Sequence, residues 1–336
     1  MRGVKITGQR ALEVRDWPEP EPKSGEVVLK IKAASICGSD LNHIYRSEGA
    51  YDVIPGHEGM GEVVAVEGPS HLQVGDRVMT LGAVPCGHCD WCREGELLFC
   101  TNSDTAGGFG RNGSHAEMVA LPDRSLLKLP DYVSDEAGAC LLDPVGTPYH
   151  ALKRMHTTAE HTVGVFGAGP MGLGAALVSV FLGAEVIVIE PIAFRRELAL
   201  KIGAAHAIDP VACDANEAIA ELTGGRGLDT ALECSGNARA LYQALDAVRR
   251  KGAVSIIGEN GEAVISPSNH FNRKEITLCG STCFPMEDYA GILQMVKRGL
   301  DPSRIITHRF GIEDAAEAYA TFDQGDTGKV VFIPNG

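Results

Sequence analysis

The chain has 336 residues, of which 44% are hydrophobic and 22% charged, so it is long enough for two domains and has an ordinary composition for a globular enzyme. Its formal net charge of −14 excludes the electrostatic footprint of a protein that binds nucleic acid or an anionic membrane. Five of its ten cysteines are isolated, as is usual in a reducing compartment: Cys140, Cys213, Cys234, Cys279 and Cys283. The first residues are typical of a strand rather than a signal peptide, and we therefore expect a cytoplasmic protein.

Residues 1–150 are predicted to form a β-rich, barrel-like domain. Residues 26–33 alternate between hydrophobic and polar side chains, as a half-buried strand does. Residues 61–67 and 76–80 repeat this pattern, with glycine and proline between them. The residues with metal-binding chemistry lie in the loops that join these strands.

Two short motifs in this region combine a thiol, an imidazole and carboxylates. Cys37 stands in Cys-Gly-Ser-Asp, and His57 is followed directly by Glu58. A thiolate and an imidazole together suit zinc, and a catalytic zinc has three protein ligands and one open position. The third ligand would be Glu58 or Asp143, which lies in an apolar segment where an unpaired carboxylate is costly. The alternatives are a buried cysteine, a surface histidine and an aspartate that caps a helix.

A second group consists of four closely spaced cysteines in the segment 86–100. They are Cys86, Cys89, Cys92 and Cys100. This spacing suits one tetrahedral zinc with four thiolate ligands, which leaves no position for a substrate and therefore predicts a structural site. A disulfide pair and four free thiols are the alternatives, and nothing else in the chain suggests secretion.

Residues 151–284 change to alternating strands and helices, which predicts a doubly wound parallel sheet. The predicted strands are 163–166, 186–189, 207–209, 230–233, 254–257 and 277–279. The predicted helices are 172–182, 194–202, 215–222 and 238–248. Residues 163–184 carry no charge and are long enough to span a membrane, but their glycines favour a strand, a turn and a helix. Residues 285–336 are predicted to return to the first domain.

The turn after the first of these strands has the pattern Gly-x-Gly-x-x-Gly at Gly167, Gly169 and Gly172. It follows a strand, opens a helix and is followed by Glu190 at the end of the next strand, which together predict a dinucleotide site. Glu190 should accept hydrogen bonds from the ribose and repel a 2′-phosphate, so NAD is favoured over NADP. Arg195 and Arg196 could reach a phosphate, or could form the polar face of the next helix. The candidate cofactor-binding residues are Gly167, Gly169, Pro170, Met171, Gly172, Glu190 and Arg195.

Over essentially its full length the chain resembles the zinc-containing medium-chain alcohol dehydrogenases. Three motifs carry the resemblance in the order of the family: Gly-His-Glu at 56–58, the cysteines at 86–100 and Gly-Ala-Gly-Pro-Met-Gly at 167–172. Cys-Gly-Ser-Asp at 37–40 and Leu-Asp-Pro-Val-Gly at 142–146 are most similar to the polyol (sorbitol-like) and threonine dehydrogenase branches. The implied fold is an α/β protein with a GroES-like catalytic domain and a Rossmann domain.

The resemblance implies a role for each residue of the first group. Cys37 and His57 match ligands of the catalytic zinc, and Glu58 matches a glutamate that ligates in some members. Asp143 matches the third ligand, normally Cys or Glu, and the shorter Asp could bind through water. Two zinc ions per chain are therefore expected, one catalytic and one structural.

The proton route is also carried over from the family. Ser39 matches the hydroxyl that takes the proton of the alcohol, and Asp40 matches a residue that orients the histidine ligand. Ethanol-type members have a histidine where this chain has Asn42, with His43 beside it. The route to solvent could therefore use His43, Glu58 or water.

The implied reaction is the NAD-dependent oxidation of a secondary alcohol, with a polyol or sugar-derived alcohol as the expected substrate. An L-threonine 3-dehydrogenase and a dehydrogenase of simple alcohols or aldehydes are the alternatives. A non-catalytic NAD-binding relative is disfavoured because Cys37, His57 and Asp143 are all present. The resemblance also implies a homodimer or homotetramer, and the negative net charge argues against a nucleic acid or membrane partner.

Overall fold

The structure is a computed structural model that describes residues 1–103, 107–259 and 261–334. It divides into two compact units. Unit 1 comprises Met1–Leu142, Pro285–Ala290 and Ile306–Gly336. Unit 2 comprises Asp143–Phe284 and Gly291–Ile305.

The strands and helices of the described residues are numbered in chain order. The strands are β1 (Arg2–Gly8), β2 (Ala11–Asp16), β3 (Glu26–Ser35), β4 (Glu58–Glu67), β5 (Arg77–Thr80), β6 (Met118–Pro122), β7 (Leu126–Lys128), β8 (Thr162–Phe166), β9 (Glu185–Ile189), β10 (His206–Ile208), β11 (Leu228–Glu233), β12 (Val248–Ile256), β13 (Thr277–Gly280), β14 (Ile306–Phe310) and β15 (Lys329–Phe332). The helices are α1 (Asp90–Arg93), α2 (Asp135–Gly138), α3 (Thr147–Arg154), α4 (Pro170–Phe181), α5 (Ala193–Lys201), α6 (Ala215–Leu222), α7 (Ala238–Ala247), α8 (Met286–Lys297) and α9 (Ala315–Gln324).

Unit 1 is built on a seven-stranded sheet with β3 near its centre. The strand order is β14-β15-β3-β4-β5-β7, and β6 also pairs with β3. Alternate residues of β3 are completely buried in one hydrophobic cluster, including Val27, Leu29 and Ile31, because a strand directs every second side chain to the same face. At its end β3 pairs Ser35 with Glu58 of β4 and with Val331 of β15. Three strands therefore meet where the candidate metal ligands begin.

Unit 2 contains a six-stranded parallel sheet in the order β10-β9-β8-β11-β12-β13. The order reverses between β8 and β11, and ligands of open parallel sheets bind beyond the carboxyl ends of the strands at such a point. Its predicted strands and helices are confirmed, and apart from the start of β12 their ends differ little from the prediction. The predicted α/β class, with a β-rich first domain and a doubly wound parallel sheet, is confirmed by these two sheets.

The start of β12 differs from the prediction, and the structure of the uncharged stretch 163–184 decides between the two interpretations of it. Strand β12 begins at Val248, six residues before the predicted position at 254, because the segment first pairs with Leu228 and then shifts register. Three charged residues, 249–251, interrupt the hydrophobic pattern and hid the start of the strand, and Lys251 has a left-handed φ of 61°. The uncharged stretch 163–184 forms β8, a turn and α4, and among the described residues no helix is long and apolar enough to cross a membrane.

Candidate functional site

The four cysteines of the segment 86–100 converge in unit 1. Their sulfur atoms all lie within 4.8 Å of one another. Three Sγ–Sγ distances are 3.9 Å for Cys86–Cys92, 3.5 Å for Cys89–Cys92 and 3.8 Å for Cys89–Cys100. A tetrahedron with Zn–S bonds near 2.3 Å has edges of about 3.8 Å. The geometry therefore fits one zinc ion with four sulfur ligands.

Backbone amides surround these sulfurs and favour their ionised form. The N–H groups of His88 and Cys89 donate to Cys86 Sγ at 3.5 and 3.3 Å, and the N–H of Cys86 donates to Cys100 Sγ at 3.2 Å. The backbone N–H of Cys92 lowers the pKa of Cys89 to about 6. Burial raises the pKa of Cys92 to about 12, so without a cation this thiol stays protonated. A bound cation would remove that proton, because metal ligation requires the thiolate.

A second group brings together Cys37, His57, Glu58 and Asp143. One ligand atom from each residue lies within 4.8 Å of every other. Cys37, His57 and Glu58 belong to unit 1, and Asp143 directly follows Leu142, the last residue of the first segment of unit 1. All but the half-buried Asp143 are buried. Sulfur, nitrogen and oxygen donors in this combination fit zinc.

Asp40 contacts two of the three ligand candidates of unit 1, His57 and Cys37. Its Oδ1 is 3.3 Å from Nδ1 of His57, and its Oδ2 accepts a hydrogen bond of 2.8 Å from the backbone N–H of Cys37. Burial opposes the charge of Asp40, but His57 and the Cys37 amide outweigh it and hold the pKa of the carboxyl below its usual range. Because Nδ1 faces Asp40, Nε2 is the nitrogen of His57 that is available to a metal.

The backbone at His57 is fixed from two sides. Thr80 Oγ1 donates to the carbonyl of His57 at 2.5 Å and accepts from the N–H of Gly59 at 2.9 Å. Gly56 has a φ of 96°, and a Cβ at this position would lie 2.3 Å from the ring of the buried His115. Only glycine therefore allows the chain to turn here and deliver His57 and Glu58 from the start of β4.

Sequence reasoning missed Lys329, which forms an ion pair with Glu58. Its Nζ lies 2.5 Å from Glu58 Oε2, and both side chains are completely buried. Burial opposes the charge of the ammonium, but the Glu58 carboxylate outweighs it and raises the pKa of Lys329 above its usual value. Ser35 also donates to Glu58 Oε2. The sequence signal that could have identified this residue is a lysine at the start of an otherwise apolar last strand.

The surroundings of Cys37 oppose the ionisation of its thiol. Burial raises the pKa of the Cys37 thiol, and the negative charge of Glu58 raises it further. A buried thiolate, two carboxylates and one ammonium leave an excess of negative charge that a divalent cation would neutralise.

Ser39 and His43 lie on the turn that follows β3. Ser39 is half-buried and directly precedes the helical turn Asp40–Tyr45, and His43 is exposed within it. The His43 and His57 rings are 6.5 and 5.2 Å from the ring of Phe109, measured between centroids. Asn42 accepts a hydrogen bond from Arg46 at 2.7 Å. Phe109 thus contacts both histidines and was not singled out from the sequence.

The glycine-rich turn of unit 2 lies at the carboxyl end of β8. Gly167 has a φ of 88°, and a Cβ there would lie 2.7 Å from Ser235 Cβ, in the turn after β11. A Cβ on Gly172 would lie 1.7 Å from the carbonyl oxygen of Gly167, so helix and turn meet without room for a side chain. Gly169 precedes α4, which begins with Pro170 and Met171. The N-terminus of α4 therefore lies at the point where the strand order reverses, which is where such folds bind the phosphates of a dinucleotide.

Glu190 closes this turn from the end of β9. Its Oε2 accepts from the N–H of Ala168 at 2.6 Å and its Oε1 from the N–H of Ile192 at 2.9 Å. Arg196 donates to the carbonyl of Glu190 at 2.8 Å and pairs with Asp209 at 3.0 Å. Arg195 Nη1 lies 3.7 Å from the Cβ position of Gly169. Of the two arginines, Arg195 is the one beside the glycine-rich turn.

Comparison with known proteins identifies the family. Residues 23–131 match the family described as alcohol dehydrogenase GroES-like domain, and residues 170–298 match zinc-binding dehydrogenase. An uncharacterized zinc-type alcohol dehydrogenase-like protein of Escherichia coli, YphC, is 35% identical, with 98% of each chain covered. The chain belongs to the zinc-type alcohol dehydrogenase family. The resemblance seen in the sequence is thereby confirmed.

Other proteins that are similar to this chain differ in their named substrates. An L-threonine 3-dehydrogenase of Alteromonas mediterranea is 33% identical, with 98% of each chain covered. The solved alcohol dehydrogenase TADH from Thermus sp. ATN1 has 30% identity and a TM-score of 0.91, with 99% of each chain covered. The solved 2R,3R-butanediol dehydrogenase from Bacillus subtilis has 28% identity and a TM-score of 0.88, also with 99% of each chain covered.

Proposed function

We propose that this dehydrogenase oxidises a secondary alcohol, most simply a polyol or sugar-derived alcohol, to a ketone with zinc and NAD. The observation that carries the proposal is the group formed by Cys37, His57, Glu58 and Asp143. This group has the donor types of a catalytic zinc site and one carboxylate more than the three ligands that such a site needs. The four cysteines of the segment 86–100, which we call the four-cysteine lobe, would instead fill all four positions of a zinc ion. We assign catalysis to residues 1–150 and 285–336 and nucleotide binding to residues 151–284.

The ion pair with Lys329 favours Cys37, His57 and Asp143 as the resting ligands. Glu58 Oε2 is held by Lys329 and Ser35, so moving this carboxylate to a metal would disturb a buried ion pair. One thiolate and one carboxylate then balance the charge of Zn²⁺, and Glu58 with Lys329 is neutral as a pair. Glu58 is also too deeply buried to hand a proton to solvent.

Bound zinc would supply a Lewis acid that lowers the pKa of the alcohol, and NAD would supply the hydride acceptor. The residues of the chain position these groups and conduct the proton. We propose that Ser39 takes the proton of the alcohol and that the exposed His43, four positions later on the same turn, passes it to solvent. Asp40 holds His57 with Nε2 towards the metal.

The contacts of Glu190 and Arg196 support NAD over NADP. Glu190 is fixed by two backbone amides beside the phosphate turn, where its charge would repel a 2′-phosphate. Arg196, which could have offset that charge, is held by Asp209 and by two backbone carbonyls. Arg195 lies beside Gly169, and we propose that it contacts the nucleotide there.

L-Threonine is the second candidate substrate, because several relatives at about one-third identity bear that name. Threonine, butanediol and a polyol share one chemical feature, which is a secondary alcohol with a heteroatom on the neighbouring carbon. A dehydrogenase of simple alcohols or aldehydes is the third possibility. We further propose that the protein is a cytoplasmic homodimer or homotetramer. Equilibrium sedimentation would measure the mass of the assembly and distinguish the two.

The test is NAD⁺ reduction across polyols, sugar acids, L-threonine and simple alcohols, with zinc counted in the same preparation. We expect two zinc ions per chain and the highest kcat/KM for a vicinal diol. A highest kcat/KM for threonine would establish the second candidate. One zinc per chain, or activity that survives complete zinc removal, would refute the mechanism.

A further inference from the structure

Cys283 forms a hydrogen bond with a candidate metal ligand 140 positions earlier in the chain. Its Sγ donates to Oδ1 of Asp143 at 3.1 Å, and both residues belong to unit 2. Cys283 is half-buried and lies three residues after the end of β13. Its φ is 42°, in the left-handed region that residues other than glycine rarely adopt. Such conformations are concentrated where the surrounding structure fixes a side chain for a function.

We propose that Cys283 is a positioning residue that orients the Asp143 carboxylate toward the metal through the hydrogen bond to Oδ1. The inference rests on the proposed function, in which Asp143 is a zinc ligand. A carboxylate can rotate and offer either oxygen or both to a metal, and hydrogen bonds to its other oxygen select one arrangement. A thiol suits this task because it is a weak donor, so it restrains the carboxylate while leaving its charge available to the cation.

The same geometry argues against Cys283 as a metal ligand. The group whose ligand atoms all lie within 4.8 Å of one another contains Cys37, His57, Glu58 and Asp143, and Cys283 is outside it.

The test compares Cys283→Ala, which removes the donor, with Cys283→Ser, which keeps a shorter one. Both variants retain Cβ and therefore the same left-handed backbone. Cys279→Ala is the matched control, since it removes another half-buried thiol of unit 2. We would titrate each zinc-loaded protein with a chelator and follow the release of zinc, together with the thermal unfolding midpoint.

We expect Cys283→Ala to weaken binding of one of the two zinc ions by about 10–100-fold, the usual effect of removing a hydrogen bond behind a ligand. Cys283→Ser should restore most of that affinity, and Cys279→Ala should not change it. Equal zinc affinity in Cys283→Ala and the parent protein would overturn the inference, as would equal losses in the Ala and Ser variants.

Two further measurements separate this inference from the proposed function. Asp143→Ala should weaken the same zinc ion; if it does and Cys283→Ala does not, the positioning role is wrong and the function stands. If Asp143→Ala has no effect, the proposed ligand set itself is wrong. In the cobalt-substituted protein, Cys283→Ala should leave the sulfur-to-cobalt absorption unchanged, and a decrease would make Cys283 a ligand instead.

Discussion

The two metal-binding groups of this dehydrogenase are built in opposite ways. The four-cysteine lobe takes its donors from one short segment, 86–100, and three of the four cysteines are half-exposed. The mixed group takes Cys37 from the end of β3, His57 and Glu58 from the start of β4, and Asp143 from a distant turn. Local spacing alone creates the first group, whereas in the second the pairing of β3 with β4 brings Cys37 close to His57 and Glu58.

This difference shows how the chain separates stability from chemistry. The lobe uses backbone amides to support its sulfurs and offers a metal four equal ligands, which leaves no open position. The mixed group holds a thiol and two carboxylates near one another, and the buried Lys329 compensates the charge of one carboxylate. An arrangement with unequal donors and a neighbouring ion pair can leave a coordination position for an alcohol.

The largest expected difference between the two groups is the effect on activity of removing one ligand from each. In Cys37→Ser we expect kcat/KM to fall by at least about 10³-fold, because the Lewis acid contributes several kcal/mol to the reaction. The zinc of the lobe should remain, so metal analysis should give one ion per chain and the unfolding temperature should change little.

Cys92→Ser is the matched change in the lobe. It should also reduce the metal content to one ion per chain, but it should lower the unfolding temperature and preserve turnover at a temperature where the protein stays folded. Loss of turnover in both variants, with both folded, would show that the two groups are not functionally distinct.

The ion pair behind Glu58 can be broken without touching a proposed resting ligand. Lys329→Met leaves the buried Glu58 carboxylate without its cation, and we expect the free energy of unfolding to fall by about 3–5 kcal/mol. Chemical denaturation measures this loss. The double variant Lys329→Met/Glu58→Gln should recover part of it, because no uncompensated charge then remains. No recovery would mean that packing of the lysine stem, rather than its charge, stabilises this part of the sheet.

The sequence was sufficient for features that depend on local spacing. The cysteines at 86–100 and the glycines at 167–172 are each a few residues apart, so their geometry follows from the turn that contains them. Periodicity likewise predicted the strands and helices of unit 2, because each element buries one face and repeats with its own period. The start of β12 was missed where three charged residues, 249–251, interrupt that period.

Long-range pairing accounts for what the sequence did not predict. Lys329 reaches Glu58 only because β15 and β4 both pair with β3 at Ser35, and no local pattern encodes that register. Cys283 and Asp143 are likewise joined across 140 positions. Both missed residues are ordinary in sequence, a lysine and an isolated cysteine, and acquire their significance from the carboxylate that each contacts.

The smallest predicted effect compares two glycines, each of which directly follows a cysteine of one group. Gly38 follows Cys37 and Gly87 follows Cys86, and a Cβ added at either position would meet nothing within 4 Å. Gly87 has a φ of 80°, whereas Gly38 is outside the left-handed region. Gly87→Ala should therefore lower the free energy of unfolding by about 1 kcal/mol.

Gly38→Ala should instead be neutral, or stabilise by about 0.4–1 kcal/mol, since alanine restricts the unfolded chain without straining the folded one. Denaturant titrations of the two variants beside the parent protein measure the difference directly. Equal effects of the two substitutions would mean that the turn between Cys86 and Cys89 relaxes freely. The lobe would then depend on its metal, rather than on a backbone already shaped for it, to bring the four sulfurs together.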